Sequence, residues 1–272
     1  MQTLKHVDPL SIAKIAAIIE LVVGILAAVV IVTLGSAFHG IYGTSMMFGS
    51  RRLLLLIIIP LFAVVVGFVA YALEAVIYNF VAEKFGGIKL QFKGSELKTI
   101  DVMSTTKIAA FAGIIIGIIF AIIFGLIIAV STGAGAGLIA AVAILVVLII
   151  SFIIIGLLAS FVYNVLASAI GGIRINIKQN TVKSVGIMSY AKIEALGCLI
   201  IGIVVGIFYT ILYYLTINTS ATLPAMVSRL GPFSLIAYPI FYFVLGFVSS
   251  LLVAWLYNWL SDRLGGVQIL LK

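Results

Sequence analysis

Long apolar runs alternate with short polar junctions along this chain. The runs fall at about 12–34, 53–82, 108–130, 138–168, 193–216 and 234–262, each near or above the ~20 residues a helix needs to cross the hydrocarbon of a bilayer. They predict six transmembrane helices, with every second helix long enough to tilt or to project beyond the hydrocarbon. The junctions carry a different period. Ile88, Leu90 and Phe92 alternate with Lys89, Gln91 and Lys93, and Ile173, Ile175 and Ile177 alternate with Arg174, Asn176 and Lys178, as in a half-buried strand. A turn at Lys93-Gly94-Ser95-Glu96 returns through ELKTI to Ser104, the expected N-cap of the next helix, with Ser11 and Ser189 in the equivalent place. Each junction therefore reads as a β-hairpin, and the terminal segments TLKHV and VQILL supply a third. Because isolated hairpins are marginal in water, the three are expected to join in a small collar.

The pattern repeats. Tyr78-Asn79, Tyr163-Asn164 and Tyr257-Asn258 are each followed by six residues, Gly-Gly and a β-branched residue. LKHVDPLSIAKIAA from Leu4, LKTIDVMSTTKIAA from Leu97 and VKSVGIMSYAKIEA from Val182 share one beginning. Tyr78 to Lys107 and Tyr163 to Lys192 both span 29 positions, so one face is held to a fixed geometry. Lys14 to Tyr78, Lys107 to Tyr163 and Lys192 to Tyr257 span 64, 56 and 65, so the opposite face drifts. Several fixed spacings recurring together mark an internal repeat. The fold class is an all-α membrane protein: six transmembrane helices as three two-helix repeats, 1–93, 94–178 and 179–272, with pseudo-threefold symmetry and short cytoplasmic hairpins. The run Ile15 to Leu34 follows Lys5 and Lys14 and ends near Gly35-Ser36-Ala37, as a secretory signal does; as the first helix of the repeat it is expected to be retained.

Composition agrees. The chain is 64% hydrophobic and 9% charged, with mean hydropathy +1.38, far more apolar surface than a water-soluble domain hides. Of 16 Lys and Arg, all but Arg51, Arg52 and Arg229 lie on the side of the termini and the two inter-unit junctions. The positive-inside rule makes that side cytoplasmic, giving a multi-pass protein of the cell membrane with both termini inside. The net charge of +8 follows this topology, so no nucleic-acid partner is expected. The other side holds the loops around His39, a flexible STGAGAG from Ser131, and a glycosylation sequon at Asn218 best read as chance. His39, Met46 and Met47 read as an ordinary amphipathic loop. The lone Cys198 excludes an intramolecular disulfide. No catalytic motif, cofactor signature or metal-ligand spacing is present, so no enzyme activity, cofactor or metal is expected.

Four residue sets stand out. Gly86-Gly87, Gly171-Gly172 and Gly265-Gly266 end the second helices, where glycine takes the left-handed conformation. Gly24, Gly117 and Gly202 each lie ten residues past the repeat lysine, as small residues do where helices approach closely; Pro60, Leu145 and Pro239 each lie 18 before the repeat tyrosine, and the prolines are expected to kink their helices. Asn79, Asn164 and Asn258 place an amide about two turns inside each helix end, to line a passage or, more commonly, to bond neighbouring helices or strands. Glu20 and Glu74 break the repeat, their counterparts being Gly113 and Cys198, and Ala159 and Val253. A carboxylate inside a membrane marks a functional site or a protonated, hydrogen-bonded pair.

Val7, Asp8, Pro9, Ser11 and Lys14, with Tyr78, Asn79, Gly86 and Gly87, give the chain a resemblance to a prokaryotic transmembrane family of unknown function. Its actinobacterial members look like one two-helix unit, opening with Val-Asp-Pro-x-Ser-x-x-Lys and closing with Tyr-Asn-x6-Gly-Gly. The second and third units depart from it at Asp101-Val102 and Gly186-Ile187. The resemblance implies a fold unit and no activity. The triple two-span plan is also similar to that of mitochondrial solute carriers, but Pro9 precedes the first helix and the later units lack proline there. Function is thus expected to be that of a non-enzymatic scaffold or accessory subunit in the lipid bilayer. Its basic cytoplasmic face of Lys5, Lys89, Lys98, Arg174 and Lys183 would engage anionic lipid headgroups or another membrane-protein subunit. The alternative is a small-solute or ion channel or transporter using the three asparagines with Glu20 and Glu74.

Overall fold

A computed structural model describes residues 1–34, 53–217 and 230–272. His39, Met46, Met47, Arg51, Arg52, the Asn218 sequon and Arg229 lie outside the described residues. Strand β1 (Gln2–Val7) leads into α1 (Pro9–Leu34). Helix α2 (Leu55–Phe85) is followed by the hairpin β2 (Lys89–Lys93) and β3 (Glu96–Ile100). Helices α3 (Val102–Thr132) and α4 (Ala134–Ile170) precede the hairpin β4 (Ile175–Lys178) and β5 (Thr181–Val185). Helix α5 (Ile187–Thr216), a 3-10 turn at Gly231–Phe233, α6 (Ser234–Leu264) and β6 (Val267–Leu271) complete the chain.

All six helices are long and apolar enough to cross a membrane. Their surfaces confirm which solvent they suit. Large side chains such as Phe62, Val65, Ile122 and Ile155 are exposed, while the buried positions are dominated by alanines, among them Ala13, Ala28, Ala82, Ala167 and Ala191. In water that distribution is inside-out; in lipid, large apolar groups gain nothing by leaving the tails, and small residues let backbones approach. Between α3 and α4 the tight contact continues to the end of the helical pair. A Cβ on Gly137 would lie 2.4 Å from that of Ala129, and one on Gly125 would lie 2.8 Å from that of Ala141. The expected flexible loop from Ser131 to Gly137 is therefore corrected to a single-residue break at Gly133, whose φ of 104° is open to glycine.

By contacts the chain forms two compact units. One comprises Met1–Ile12, Ala72–Lys183 and Val267–Lys272, and the other Ala13–Tyr71 and Ser184–Gly266. The first contains the sheet together with α3 and α4; Phe85 of α2 stacks on Phe111 of α3 at 3.5 Å, above a core of Ile77, Val81, Ala82 and Ile108. The second contains most of α1, the first half of α2, and α5 with α6. There Tyr209 stacks on Tyr238 at 5.1 Å.

The six strands form one antiparallel sheet in the order β3-β2-β1-β6-β5-β4. The alternation read from the junctions holds: Leu90, Phe92, Ile175 and Ile177 are sheltered while Lys89, Gln91, Lys93, Asn176 and Lys178 are exposed. The terminal strands β1 and β6 pair, Leu4 opposite Leu271 and Val7 opposite Ile269. The sheet's two edges also meet. Glu96 bridges Arg174, Leu97 N–H donates to Ile173 O at 2.9 Å and Ile175 N–H to Ser95 O at 2.7 Å. Through these bonds the strands at the two ends of the order join, so that among the described residues each strand has a neighbour on both sides. Hairpin β4–β5 turns on Gln179 and Asn180, both with positive φ, the requirement of a two-residue type I′ turn.

Candidate functional site

The polar residues singled out by the repeat converge on the points where strands meet helices. Asn79 accepts from Val7 N–H at 2.9 Å and donates to Val7 O at 2.8 Å. Asn164 does the same to Ile100, at 2.8 Å in both directions, and Asn258 to Val185, at 2.7 and 2.8 Å. Each amide thus mimics a β-strand partner for the last residue of the strand that precedes a helix, satisfying both backbone groups at once.

The tyrosine immediately before the asparagine bonds the same strand three residues earlier. Tyr78 O–H donates to Leu4 O at 2.6 Å and accepts from Ile88 N–H at 3.3 Å; Tyr163 O–H donates to Leu97 O at 2.6 Å and accepts from Ile173 N–H at 3.2 Å. The same carbonyls explain the second glycine of each pair. A Cβ on Gly87 would fall 1.6 Å from Leu4 O, and one on Gly172 would fall 1.8 Å from Leu97 O. The first glycines, Gly86, Gly171 and Gly265, all have positive φ; Gly265 lies in the left-handed helical region, whereas Gly171 combines φ 87° with an extended ψ of 148°.

The helix caps differ from the expectation. Asp101, not Ser104, is the N-cap of α3: its carboxylate accepts from Ser104 N–H at 2.7 Å. The serine hydroxyl instead donates to Asp101 O and accepts from Lys89 N–H at 3.0 Å. Ser11 repeats this, bonding Asp8 O and accepting from Gln268 N–H at 3.0 Å. Each serine therefore joins its helix start to the neighbouring hairpin. The carboxylate geometry wins because an ionised acceptor aimed at a helix N-terminus makes the stronger bond. The Ser104 N–H is the main reason that the Asp101 carboxyl sits below its ordinary value.

The glycines of the first helices lie against the second helices. A Cβ on Gly24 would be 3.0 Å from Pro60 Cα, one on Gly117 2.9 Å from a Leu145 methyl, and one on Gly202 2.8 Å from Pro239 Cα. Four residues before each, the repeat exchanges bulk. Glu20 packs its stem into the space at Gly67, Cys198 into that at Gly246, whereas Gly113 receives Phe152. The departure at Glu20 is thus matched by a departure on the facing helix. Glu74 is exposed on α2, and the two glutamates fall in different compact units. A third carboxylate in the spans, Glu194 of α5, escapes the repeat reading. It lies half-buried one turn from Tyr190 and from Cys198.

Of the basic set, Lys5, Lys89 and Arg174 are exposed, while Lys98 and Lys183 are half-buried. Lys98 pairs with Glu96 at 2.9 Å. Glu96 also accepts from Gly172 N–H at 2.6 Å. Its bond from Lys98, then the one from Gly172, hold its carboxyl below the ordinary range. Sequence reading did not single out Glu96, although it occupies the position of Thr3 and Thr181 in the other units.

Two clefts of about 600 Å³ flank the asparagines. One is lined by Lys5, His6, Asn79, Phe80, Glu83 and Lys272 among others. The other is lined by Met1, Gln91, Thr99, Met103, Leu157 and Asn164 among others. Among the described residues there is no group of three or more His, Cys, Asp or Glu side chains able to hold a metal. The chain matches no protein-family model, no curated protein and no solved structure, so its function has to be argued from this geometry.

Proposed function

We propose that this chain is a non-enzymatic integral membrane scaffold or accessory subunit whose basic face engages anionic lipid headgroups or a partner protein. In this reading three tandem two-helix units stand in pseudo-threefold relation, and the sheet with both termini lies on the cytoplasmic side. The observation that carries it is how the polar groups are used. The three amides that a passage would need are each bonded to both backbone groups of one residue. Among the lysines around the same sheet, Lys5, Lys89, Lys93 and Lys178 are exposed. A basic group held at the surface of an anionic leaflet gains about 1 kcal/mol, and several such lysines on one sheet make a face for that surface.

The test combines two measurements on purified protein. Reconstituted into liposomes, wild type is expected to give no ion or proton flux above empty vesicles. In detergent it is expected to retain anionic phospholipid in preference to zwitterionic lipid. Flux that disappears in Glu20→Gln or Glu74→Gln would replace the scaffold by the transporter. Orientation is read separately: cysteines at Gly94 and Gln179, in a Cys198→Ala background, should be shielded from impermeant thiol reagents in intact cells while one at Gly135 labels.

A further inference from the structure

Lys5 and Lys98, which stand at equivalent places in the first two units, each sit on a β-bulge. Between Leu4 and His6 the register of β1 against β6 slips by one residue, and between Gln91 and Phe92 the pairing of β2 with β3 slips at Lys98. A bulge puts two consecutive side chains where a regular strand would alternate them. In β1 the outcome is that Lys5 and His6 both line the cleft at Asn79. In β3 the corresponding Lys98 is drawn to Glu96 at 2.9 Å, and no basic residue lines the cleft at Asn164. Lys5 has Thr3, not a carboxylate, two residues before it, and among the described residues no carboxylate lies within ion-pair distance of it. Lys272 adds a third basic group to the first cleft.

The walls differ as well. Phe80, exposed at the end of α2, has the Lys84 ammonium 4.5 Å from its ring centroid. The second repeat has Val165 and Ala169 at these positions. A lysine whose stem lies along an exposed apolar ring while its ammonium reaches past it suits the boundary between hydrocarbon and water. The cleft at Asn79 thus offers cations where a lipid phosphate would lie and an apolar wall where its chains would begin.

We infer that the cleft formed by Lys5, His6, Asn79, Phe80, Glu83 and Lys272 binds the phosphodiester headgroup of one anionic phospholipid. The assignment rests on the lipid-binding reading above and narrows it from a face to a site. Lys5 and Lys272 contact the phosphate, and His6 donates a hydrogen bond to it. Glu83 repels a doubly charged phosphate monoester and accepts from a headgroup hydroxyl, which selects a hydroxylated phosphodiester such as phosphatidylglycerol over phosphatidic acid.

The full chain in detergent, given mixed micelles of phosphatidylglycerol and phosphatidylcholine, tests this by native mass spectrometry of retained lipid. Wild type is expected to hold one phosphatidylglycerol. Lys5→Gln/Lys272→Gln should lose it by on the order of tenfold, Lys5→Arg/Lys272→Arg should keep it, and Lys107→Gln, outside the cleft, should leave it unchanged. A photoreactive phosphatidylglycerol should crosslink to the peptide containing Phe80. Should wild type show no preference for anionic lipid, the cleft and the broader lipid reading both fall. If the preference survives unchanged in the double glutamine variant, the cleft alone falls. Displacement of the lipid by inorganic phosphate at equal concentration would identify a free anion as the ligand and overturn the lipid assignment.

Discussion

The junctions at Asn79 and at Asn164 are built from the same bonds and lined by different chemistry. In both, an asparagine takes the backbone of the residue before its helix partner, a tyrosine takes a strand carbonyl at 2.6 Å, and a glycine leaves that carbonyl room. Yet one cleft presents Lys5, His6 and Lys272 and the other Met1, Thr99 and Met103. Residues that recur at fixed spacing hold the chain, and residues that vary between copies decide what each copy can meet. Glu96 illustrates the second class on the structural side, since it ties Lys98 and Gly172 at the place where the sheet's edges join.

The harshest way to break the equivalence is to remove β6. Deleting Gln268–Lys272 takes a neighbour from β1 and from β5, including the bonds between Thr3 and Lys272 and from Asp8 N–H to Gln268 O. At about 1 kcal/mol per backbone bond the loss should reach about 5 kcal/mol. Hydrogen exchange should then quicken at Leu4 before it does at Leu97; simultaneous exposure would mean that the two junctions open as one.

Gly87→Ala and Gly172→Ala come next. Each methyl meets a strand carbonyl at under 2 Å, so each should cost about 4 kcal/mol and lower the melting temperature in detergent by a similar amount. A large drop at one and none at the other would end the claim of equal construction. Asn79→Leu and Asn164→Leu should each cost about 2 kcal/mol, since a backbone N–H and a C=O lose their partner together. Asn→Asp at the same positions keeps the acceptor and loses the donor, and should fall in between.

Glu96→Gln separates the junctions. It should lower the melting temperature modestly at neutral pH, because the Lys98 ion pair and the bond from Gly172 N–H both depend on that charge. The sign of the pH effect follows from the depressed carboxyls of Glu96 and Asp101. Their contribution is fully present above the ordinary carboxylate pKa values near about 4 and is lost as pH falls through the lower folded values. Wild type should therefore melt progressively earlier on acidification below about pH 4. Glu96→Gln should show a smaller acid loss, with the remainder due to Asp101. An unchanged acid profile would remove Glu96 from the seam. The smallest effect is expected at Lys5→Gln, which should leave the melting temperature in place because Lys5 is exposed and, among the described residues, has no ion-pair partner.

Sequence alone determined the six apolar helices, because a bilayer requires a length and an apolarity that are both countable along the chain. It determined the hairpins as well, from the alternation at Ile88–Lys93 and Ile173–Lys178 and from Gly94. It marked the asparagines, tyrosines and paired glycines through their spacing, which backbone geometry holds constant. What it left open was what each amide touches, since a hydrogen bond across 72 positions, as between Val7 and Asn79, has no local signature. The break at Gly133 was hidden too: a run of small residues reads as a loop until another helix lies close enough for those residues to pack. The bulge at Lys5, the ion pair that withdraws Lys98 and the closure of β3 on β4 are all decided by strand register. Register is set by pairing between segments distant in sequence, and only the folded chain brings those segments together.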